Sequence, residues 1–301
     1  MGMKPAVKKV TGTLGAEILD INIGTPLDDS TLNWLKHEFV ENKVLFFRDQ
    51  HLTSEQHVAF SNYFGDVLDV HPWSLSKADF KNIMLIYNSA AAGWHSDETW
   101  REETPLGSVL YGRSVPDYGG DTVFADMERV YDDLSEDMQE SLAGLYAVHD
   151  HISHRRRMRA IGKSEEQIDA WRREYPEVRH PIVRTHPVSG RKSLFVNGGF
   201  TDRVDGMGAD ESKELLASLY ALVAKPQYQC RFRWQTRSVA FWDNRSVQHY
   251  GVPDFGDQER LMERVTIAGD RPSQSLHRVT EELSRSPMPR PVGRDAGKVF
   301  G

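Results

Sequence analysis

The sequence predicts a mainly β fold with helical insertions, built on a double-stranded β-helix, or jelly-roll, core. Two observations lead to this prediction. Many short apolar segments with strand-like composition are separated by turn residues, and segments with helical capping signals interrupt them at a few places. No internal repeat is visible. This order of elements is typical of folds that pack two antiparallel sheets against each other.

The first part of the chain alternates between strand-like and helical segments. Residues 15–23 are strand-like, and Asp28 then provides an N-cap for an amphipathic helix. Residues 43–47 are apolar and aromatic, as expected of a buried strand. Residues 53–56, Thr-Ser-Glu-Gln, are a capping box that begins a second helix. An apolar strand over residues 83–87 follows.

The remaining elements continue this pattern. Residues 108–112 and 122–124 are predicted strands, separated by a turn around residues 116–120. Helical signals cover residues 127–146 and 210–223. Further strands are predicted over residues 181–185, 193–196, 229–234 and 238–241.

Charge and proline content suggest the domain organisation. Residues 1–270 are predicted to form a single domain, with a basic helical insertion around residues 149–179. Residues 271–301 contain four prolines and few apolar groups. This composition predicts an extended tail that is either disordered or laid across a neighbouring subunit, and a homo-oligomer is expected.

Composition argues against several classes of function. The 301 residues carry a net charge of -7 with a pI of about 6.0, and this acidic balance argues against a nucleic-acid binder. No apolar run approaches the roughly 20 residues of a membrane-spanning helix, and the N-terminus lacks the apolar region of a signal peptide. Because Cys230 is the only cysteine, no internal disulfide can form, and a cytoplasmic protein is expected.

Three residues have the composition of an iron site. His95 and Asp97 lie two positions apart in Trp94-His95-Ser96-Asp97, and His249 follows far along the chain. Two imidazoles and one carboxylate can hold Fe(II) on one face and leave positions open for substrate and dioxygen. In a strand, His95 and Asp97 would project to the same side. The pattern predicts that the three residues ligate iron and form the catalytic centre.

A lone His-x-Asp triplet arises easily by chance in a chain with 12 histidines, so the iron-site prediction needs further support. Two arginines provide it. Arg260 and Arg264 follow His249 at a strand-like distance. A dicarboxylate cosubstrate requires a cation for its far carboxylate, and the planar fork of arginine suits a bidentate grip.

Together these motifs resemble the taurine dioxygenase and 2,4-dichlorophenoxyacetate dioxygenase family of Fe(II)- and 2-oxoglutarate-dependent oxygenases. The resemblance runs from about Val10 to Pro272. Besides the residues above, the matching stretches are Val44-Leu45-Phe46-Phe47-Arg48, Phe64-Gly65, Gly119-Gly120-Asp121-Thr122, Thr185-His186-Pro187, Gly190-Arg191-Lys192, Leu194-Phe195-Val196-Asn197 and Trp242-Asp243-Asn244-Arg245. Several motifs in one order are far more specific than any single one.

The resemblance implies which residues meet the cosubstrate. His95, Asp97 and His249 match the iron ligands of the family. Thr122 and Arg260 match the pair that binds the far carboxylate of 2-oxoglutarate. The taurine enzyme also carries an asparagine four residues before its first iron ligand, and the amide nearest to that place in this chain is Asn88.

The resemblance also implies a substrate side of the site. Arg264 matches an arginine that faces the substrate anion, although it could instead serve the near carboxylate of the cosubstrate. His71 matches a histidine that shares the anion contact, with a core position as the alternative, and Phe200 is a candidate for lining the pocket. Ser74 and His151 replace a tyrosine and a phenylalanine of the taurine enzyme, which argues against taurine as the substrate.

Other polar residues are expected to be structural. Residues 243–245 are predicted to fix the turn that presents His249. His151 and His154 lie beside the basic insertion and are predicted to face solvent from a helix.

The predicted function is hydroxylation of a small anionic organic substrate by dioxygen, with Fe(II) as cofactor and 2-oxoglutarate as cosubstrate. The expected substrates are a sulfonate, an alkyl sulfate or an aryloxyalkanoate, and the hydroxylated product could then release its substituent. Two alternatives are a zinc hydrolase, which would require a nearby general base, and a non-catalytic metal-binding jelly-roll protein.

Overall fold

The computed structural model describes residues 5–91 and 93–275, and within them the chain is mainly β with helices between the strands, as predicted. Most of the predicted tail, residues 276–301, lies outside the described residues. The helices are α1 Asp29–Asn42, α2 Ser54–Asn62, α3 Met127–Asp132, α4 Glu136–Leu142, α5 Ile152–Ala160, α6 Glu165–Glu174 and α7 Ala209–Val223. The strands are β1 Ala6–Lys9, β2 Ala16–Leu19, β3 Val44–Phe47, β4 Ser76–Lys77, β5 Phe80–Tyr87, β6 Gly107–Ser114, β7 Thr122–Asp126, β8 Tyr146–His149, β9 Val178–Pro181, β10 Val183–Thr185, β11 Lys192–Leu194, β12 Thr201–Val204, β13 Gln229–Phe232, β14 Val239–Asp243, β15 Val247–Gly251 and β16 Leu261–Ile267.

An eight-stranded sheet with the order β1-β2-β3-β14-β6-β16-β5-β4 forms the largest layer. A three-stranded sheet, β13-β7-β15, lies against it across a shared apolar cluster. Two smaller sheets, β12-β8-β9 and β10-β11, complete the described strands. Neighbouring strands are antiparallel except for β2 and β3. The strands that carry His249 and Arg264, β15 and β16, therefore belong to different sheets.

Strand β3 shows why some segments are apolar at every position. Leu45 and Phe47 pack into the cluster that contains Phe39 of α1. Phe46 points to the opposite face, where its ring centroid lies 5.7 Å from that of Phe124 in β7. Both faces of the large sheet are thus covered at β3, so this strand lacks the usual alternation of apolar and polar residues.

The helices begin where their capping residues predict. Asp28 accepts a hydrogen bond from the Thr31 amide at the start of α1. Thr53 and Gln56 form the complete capping box of α2. Helix α1 ends at Lys43, whose φ of 63° places it in the left-handed region and turns the chain into β3.

Some elements differ from the prediction. Residues 127–146 contain two helices, α3 and α4, and Tyr146 already begins strand β8, which pairs with β9 and β12. Helices α5 and α6 occupy most of residues 149–179. The first tail residues run beside Thr185, whose amide donates to the Ser273 carbonyl over 2.7 Å. None of the described helices has the length and apolar character needed to cross a membrane.

Candidate active site

His95, Asp97 and His249 come together as the sequence predicts. Their donor atoms all lie within 4.8 Å of one another. The Nε2 atoms of His95 and His249 lie 3.7 Å and 3.8 Å from Oδ1 of Asp97. The two histidines are also joined through their backbones, since each amide donates to the carbonyl of the other, over 3.1 Å and 2.8 Å. This reciprocal pair brings two distant segments of the chain to one place.

The predicted strand through His95 and Asp97 is not present. His95 makes an isolated β-bridge to His249, and Asp97 begins a turn. Asn244, between β14 and β15, instead orients Asp97. Its Oδ1 accepts a 2.6 Å hydrogen bond from the Asp97 amide, and its Nδ2 donates to the Asp97 carbonyl over 2.9 Å. The hydroxyl of Ser108 donates to Oδ2 of Asp97 over 2.8 Å, which leaves Oδ1 facing the two histidines.

The charge states of this group suit metal binding. Burial disfavours the charged form of Asp97, but Arg264, His249 and His95 outweigh it and lower its pKa to about 2. Burial, helped by His95, lowers the pKa of His249 to about 3, so this imidazole is neutral. The Nδ1 of His95 lies 2.8 Å from the carbonyl of Gly93. Because a carbonyl only accepts, Nδ1 must carry a proton, which leaves Nε2 as the nitrogen that can offer a lone pair to a metal.

A cavity of about 310 Å³ opens beside these residues, between the large sheet and the β13-β7-β15 sheet. Its lining combines apolar side chains with the cationic groups of Arg260 and Arg264. The lining residues are Met84, Ile86, Ser89, Ala90, Ala91, His95, Leu110, Thr122, Trp242, His249, Gly251, Arg260 and Arg264.

Arg260 is a buried cation without an anion. It is 3% exposed, and its Nη1 donates to the Ser89 carbonyl over 2.9 Å. No described carboxylate forms an ion pair with it, and burial lowers its pKa to about 10. Asn88 contacts Arg260 through the backbone, since its Oδ1 accepts from the Arg260 amide over 2.9 Å. Thr122 lies in the same cavity, and its hydroxyl accepts a hydrogen bond from Trp234 Nε1 over 3.0 Å.

Gly120 makes room for the Arg260 side chain. A Cβ atom at this position would lie 3.2 Å from both Cδ and Nε of Arg260. The φ of +67° at Gly120 also favours glycine. Gly120 belongs to the family motif Gly119-Gly120-Asp121-Thr122, but its contact with Arg260 could not be predicted from that motif.

Arg264 is held close to Asp97. Its Nη1 donates to Oδ1 of Asp97 over 2.5 Å, and its Nη2 lies 3.4 Å from Oε1 of Glu98. Its Nε is buried and has no hydrogen-bond partner among the described residues. Arg264 therefore keeps one free donor beside the three clustered residues.

His71 and Phe200 lie on the other side of this centre. The ring centroid of Phe200 lies 6.2 Å from that of His95. His71 packs against Trp100, with centroids 5.1 Å apart, and it does not line the cavity that holds Arg264. The described structure thus does not bring His71 and Arg264 together.

His151 and His154 were predicted to face solvent, and this prediction is wrong. Both imidazoles are partly buried and pack against Trp73 and Trp171. The basic sequence of α5 does not indicate that one side of it packs inward, because the aromatic partners come from other parts of the sequence.

A family model described as "Taurine catabolism dioxygenase TauD, TfdA family" matches residues 6–266 of this chain. The chain belongs to this family. The alkylsulfatase of Acinetobacter baylyi is 35% identical, over 88% of this chain and 85% of that protein. The alpha-ketoglutarate-dependent sulfate ester dioxygenase of Pseudomonas putida is also 35% identical, over 88% of this chain and 90% of that protein.

Solved structures agree with this TauD/TfdA membership. A putative alpha-ketoglutarate-dependent taurine dioxygenase from Burkholderia xenovorans has a TM-score of 0.79 and 30% identity, over 89% of this chain and 94% of that one. The predicted enzyme class, an Fe(II)- and 2-oxoglutarate-dependent dioxygenase, is confirmed by these relatives. They also remove support from the zinc hydrolase and the non-catalytic alternatives.

Proposed function

We propose that this TauD/TfdA dioxygenase hydroxylates a small organic anion, such as a sulfate ester, a sulfonate or an aryloxyalkanoate, at the carbon next to its substituent. The observation that carries the proposal is that His95, Asp97 and His249 converge beside a cavity lined by both histidines and by the cation of Arg260, which has no carboxylate partner among the described residues. Relatives named as an alkylsulfatase, a sulfate ester dioxygenase and a (S)-phenoxypropionate dioxygenase support this range of substrates.

His95, Asp97 and His249 would hold the iron. The donor set fits Fe(II), because two neutral imidazoles and one ionised carboxylate are the ligands of non-haem iron oxygenases. Hydrogen bonds from Ser108 and Asn244 fix the orientation of Asp97, and the Gly93 carbonyl fixes the tautomer of His95. A zinc hydrolase would have no use for the buried Arg260.

Arg260 and Thr122 would bind the far carboxylate of 2-oxoglutarate. A buried guanidinium with no anion is costly, and a carboxylate in the cavity would remove that cost through a bidentate contact. Thr122 adds a hydroxyl at the same wall. Asn88 would act indirectly, because it holds the backbone of Arg260.

Arg264 would meet the anionic group of the substrate or the near carboxylate of 2-oxoglutarate. Its free Nε and its position beside Asp97 support this role. His71 and Phe200 would line the substrate pocket on the far side of His95, where Phe200 lies within ring contact of that ligand. Charge selectivity would then come from Arg264.

Bound iron and 2-oxoglutarate together supply the oxidising chemistry that turns a C–H bond into C–OH. The protein binds both, orients the substrate carbon and excludes water. With a primary alkyl sulfate, O₂ and 2-oxoglutarate would be consumed and succinate and CO₂ released. The hydroxylated carbon would lose hydrogensulfate and become an aldehyde.

The sheet arrangement supports a double-stranded β-helix, because the eight-stranded sheet and the β13-β7-β15 sheet enclose one core and one cavity. We propose this fold for a single domain over residues 1–270. We also propose, from the sequence alone, that the protein is a homo-oligomer and that it is located in the cytoplasm.

The test is a screen for succinate release across sulfate esters, sulfonates and aryloxyalkanoates, each paired with a neutral analogue of the same carbon skeleton. An anion should be turned over and its neutral analogue should not. Equal turnover of both would remove the anion proposal. Separately, 2-oxoglutarate added to the Fe(II) enzyme without oxygen should produce a weak visible absorption band, and no band would contradict the proposed iron site.

A further inference from the structure

A buried carboxylate lies one residue before Arg264, on the face of the large sheet opposite the cavity. Glu263 of β16 is 2% exposed, and each of its oxygens is held by a cation. Nζ of Lys77 in β4 donates to Oε1 over 2.6 Å. Nε of Arg113 in β6 donates to Oε2 over 2.8 Å. We call Lys77, Glu263 and Arg113 the outer ion cluster.

Both cations of the outer ion cluster are also held by other parts of the chain. Nζ of Lys77 donates to Oγ of Ser54 over 2.7 Å. Nη1 of Arg113 donates to the Leu52 carbonyl over 2.7 Å. Burial disfavours the charged form of Glu263, but the hydrogen bonds from Arg113 and Lys77 outweigh it and lower its pKa. Because desolvation offsets the attraction in a buried ion pair, we expect the cluster to fix geometry more than to add stability.

The pairing of β16 with β6 shifts its register at Arg113. Leu261 is opposite Ser114, whereas the next residue, Met262, is opposite Gly112. Arg113 is therefore an extra residue in β6, which is the pattern of a β-bulge. A β-bulge increases the local twist and redirects neighbouring side chains. The ion pair with Glu263 thus holds the bulged residue itself.

The bulge lies opposite the part of β16 that carries the two cavity arginines. Arg260 comes just before this strand and Arg264 lies within it, and both line the cavity. Because successive residues of a strand point to opposite faces, one stretch of backbone directs Glu263 outward and Arg264 inward. The described side-chain hydrogen bond of Arg260 is to the Ser89 carbonyl, so its direction depends strongly on the backbone that carries it. Fixing Glu263 on one face therefore fixes the arginines on the other.

Resting on the dioxygenase function proposed above, we propose that Glu263 is a positioning residue for 2-oxoglutarate binding. Its ion pairs with Arg113 and Lys77 hold the bulge, and the bulge keeps Arg260 in the direction that the far carboxylate requires. Glu263 does not touch the cosubstrate, because it lies on the other face of the sheet. Loss of its charge should weaken the preference for a 2-oxo acid with a second carboxylate over one without it.

The first test uses two ligands, 2-oxoglutarate and pyruvate, of which only the first has a far carboxylate. Calorimetry with the anaerobic Fe(II) enzyme gives both dissociation constants. Glu263→Gln keeps the size of the side chain and removes its charge, so it should raise the 2-oxoglutarate constant by about fivefold and leave the pyruvate constant unchanged. An unchanged ratio of the two constants, including an equal rise in both, would overturn the proposal. Absence of 2-oxoglutarate binding in the wild-type enzyme would instead reject the proposed function and this role with it.

The large sheet offers a matched control. Glu17 of β2 is also held by one lysine and one arginine, with Lys8 at 3.5 Å and Arg48 at 3.0 Å. Three strands separate β2 from β16 in this sheet. Glu17→Gln should therefore leave both constants unchanged. If Glu17→Gln and Glu263→Gln raise the 2-oxoglutarate constant alike, the effect is a general one and the proposal is wrong.

The second test removes the cations and keeps the proposal testable if Glu263→Gln does not fold, which thermal unfolding checks. Lys77 has a side chain that is 31% exposed, and Lys77→Met leaves the pair between Glu263 and Arg113 in place. It should raise the 2-oxoglutarate constant by about twofold. Arg113→Met should have a larger effect, and adding Glu263→Gln to it should raise the constant less than Glu263→Gln does alone, because the pair is already broken. If neither cation variant changes the ratio of the two constants, the outer ion cluster does not position Arg260.

Discussion

The iron side of the site and a neighbouring group of packed rings are built in opposite ways. This imidazole–indole cluster consists of His71, Trp73, Trp100, His151, Trp171 and Tyr175, with His154 at its edge. On the iron side, both peptide groups of Asp97 bond to Asn244, Ser108 fixes the carboxylate, and His95 and His249 share two backbone hydrogen bonds. In the cluster, three buried nitrogen atoms have no partner among the described residues. The contrast shows that the protein holds the candidate iron ligands through its own hydrogen bonds, whereas ring packing alone positions most of the cluster.

Arg260 is one exception on the iron side, where Nε of Arg264 and Nδ1 of His249 also lack a hydrogen-bond partner among the described residues. Its cation is buried without a described carboxylate partner, although its backbone and one Nη are held. The protein therefore positions the Arg260 side chain through hydrogen bonds but provides no described carboxylate for its charge.

The largest effect is expected from removing a candidate iron ligand. His249→Ala deletes one of three donors, so it should abolish both iron retention after dialysis and succinate formation. Metal analysis and a succinate assay measure the two effects. His37→Ala on the surface of α1 is the control and should retain both. Full activity of the His249 variant would mean that the ligand assignment is wrong.

The next effect concerns the unpaired cation. Removing one partner of a desolvated charge pair typically costs about 2–5 kcal/mol, so Arg260→Ala should raise the dissociation constant of 2-oxoglutarate by roughly 30-fold or more. Anaerobic calorimetry measures this change. Arg203→Ala, at a surface ion pair with Glu177, should leave the constant unchanged. An unaltered constant in the Arg260 variant would transfer the role to Arg264.

A smaller effect should follow from loosening Asp97 without removing it. Asn244→Ala deletes two hydrogen bonds to the Asp97 backbone, and changes of this kind around metal ligands typically cost about 10-fold or more in metal affinity. Ser108→Ala deletes one bond to the carboxylate and should have a smaller effect. Competition with a chelator measures the iron affinity, and thermal unfolding checks the fold. A folded Asn244 variant with normal iron affinity would show that the positioning is unnecessary.

The smallest predicted effect is the acid sensitivity of the cluster. The pKa of His151 is lowered from 6.5 to about 4 by burial and by His154, so the unfolded chain takes up this proton at a higher pH than the folded one. The stability it contributes is fully present above pH 6.5 and is lost as the pH falls towards 4. Between pH 7.5 and 5, the unfolding free energy of the His151→Phe variant should therefore fall by about 2 kcal/mol less than that of wild type. Urea unfolding at the two pH values measures the difference, and equal losses would mean that His151 titrates normally.

Local sequence signals were sufficient for the helix starts and for the residues of the iron side. Asp28 and Thr53 cap their helices through atoms three residues away, so no distant contact has to be known. His95 and Asp97 stood out only together with His249, Arg260 and the family motifs, because a lone His-x-Asp triplet arises easily by chance. The role of Ser108 was missed, since a serine in a buried strand has no local mark that it faces a carboxylate.

The predictions that were wrong concern residues whose structure depends on contacts with distant parts of the sequence. Strand β8 was not predicted, and the predicted helix ran on to its first residue, Tyr146, because the pairing of β8 with β9 and β12 joins residues that are far apart in the sequence. Asp97 lies in a turn because Asn244 holds its backbone from 147 residues away. His151 and His154 were predicted to face solvent because arginines of α5 are their neighbours in sequence. Their packing partners, Trp73 and Trp171, lie outside this helix.

The backbone pair between His95 and His249 also has a consequence for how the enzyme is loaded. Each amide donates to the carbonyl of the other residue, and neither hydrogen bond involves a metal, so the pair should hold the two ligands together in metal-free protein and little of the binding free energy should be consumed in ordering the chain. Both amide protons should exchange slowly with solvent even in metal-free protein. Iron could then be stripped by a chelator and returned repeatedly, with each cycle starting from a folded apoprotein rather than from an unfolded one.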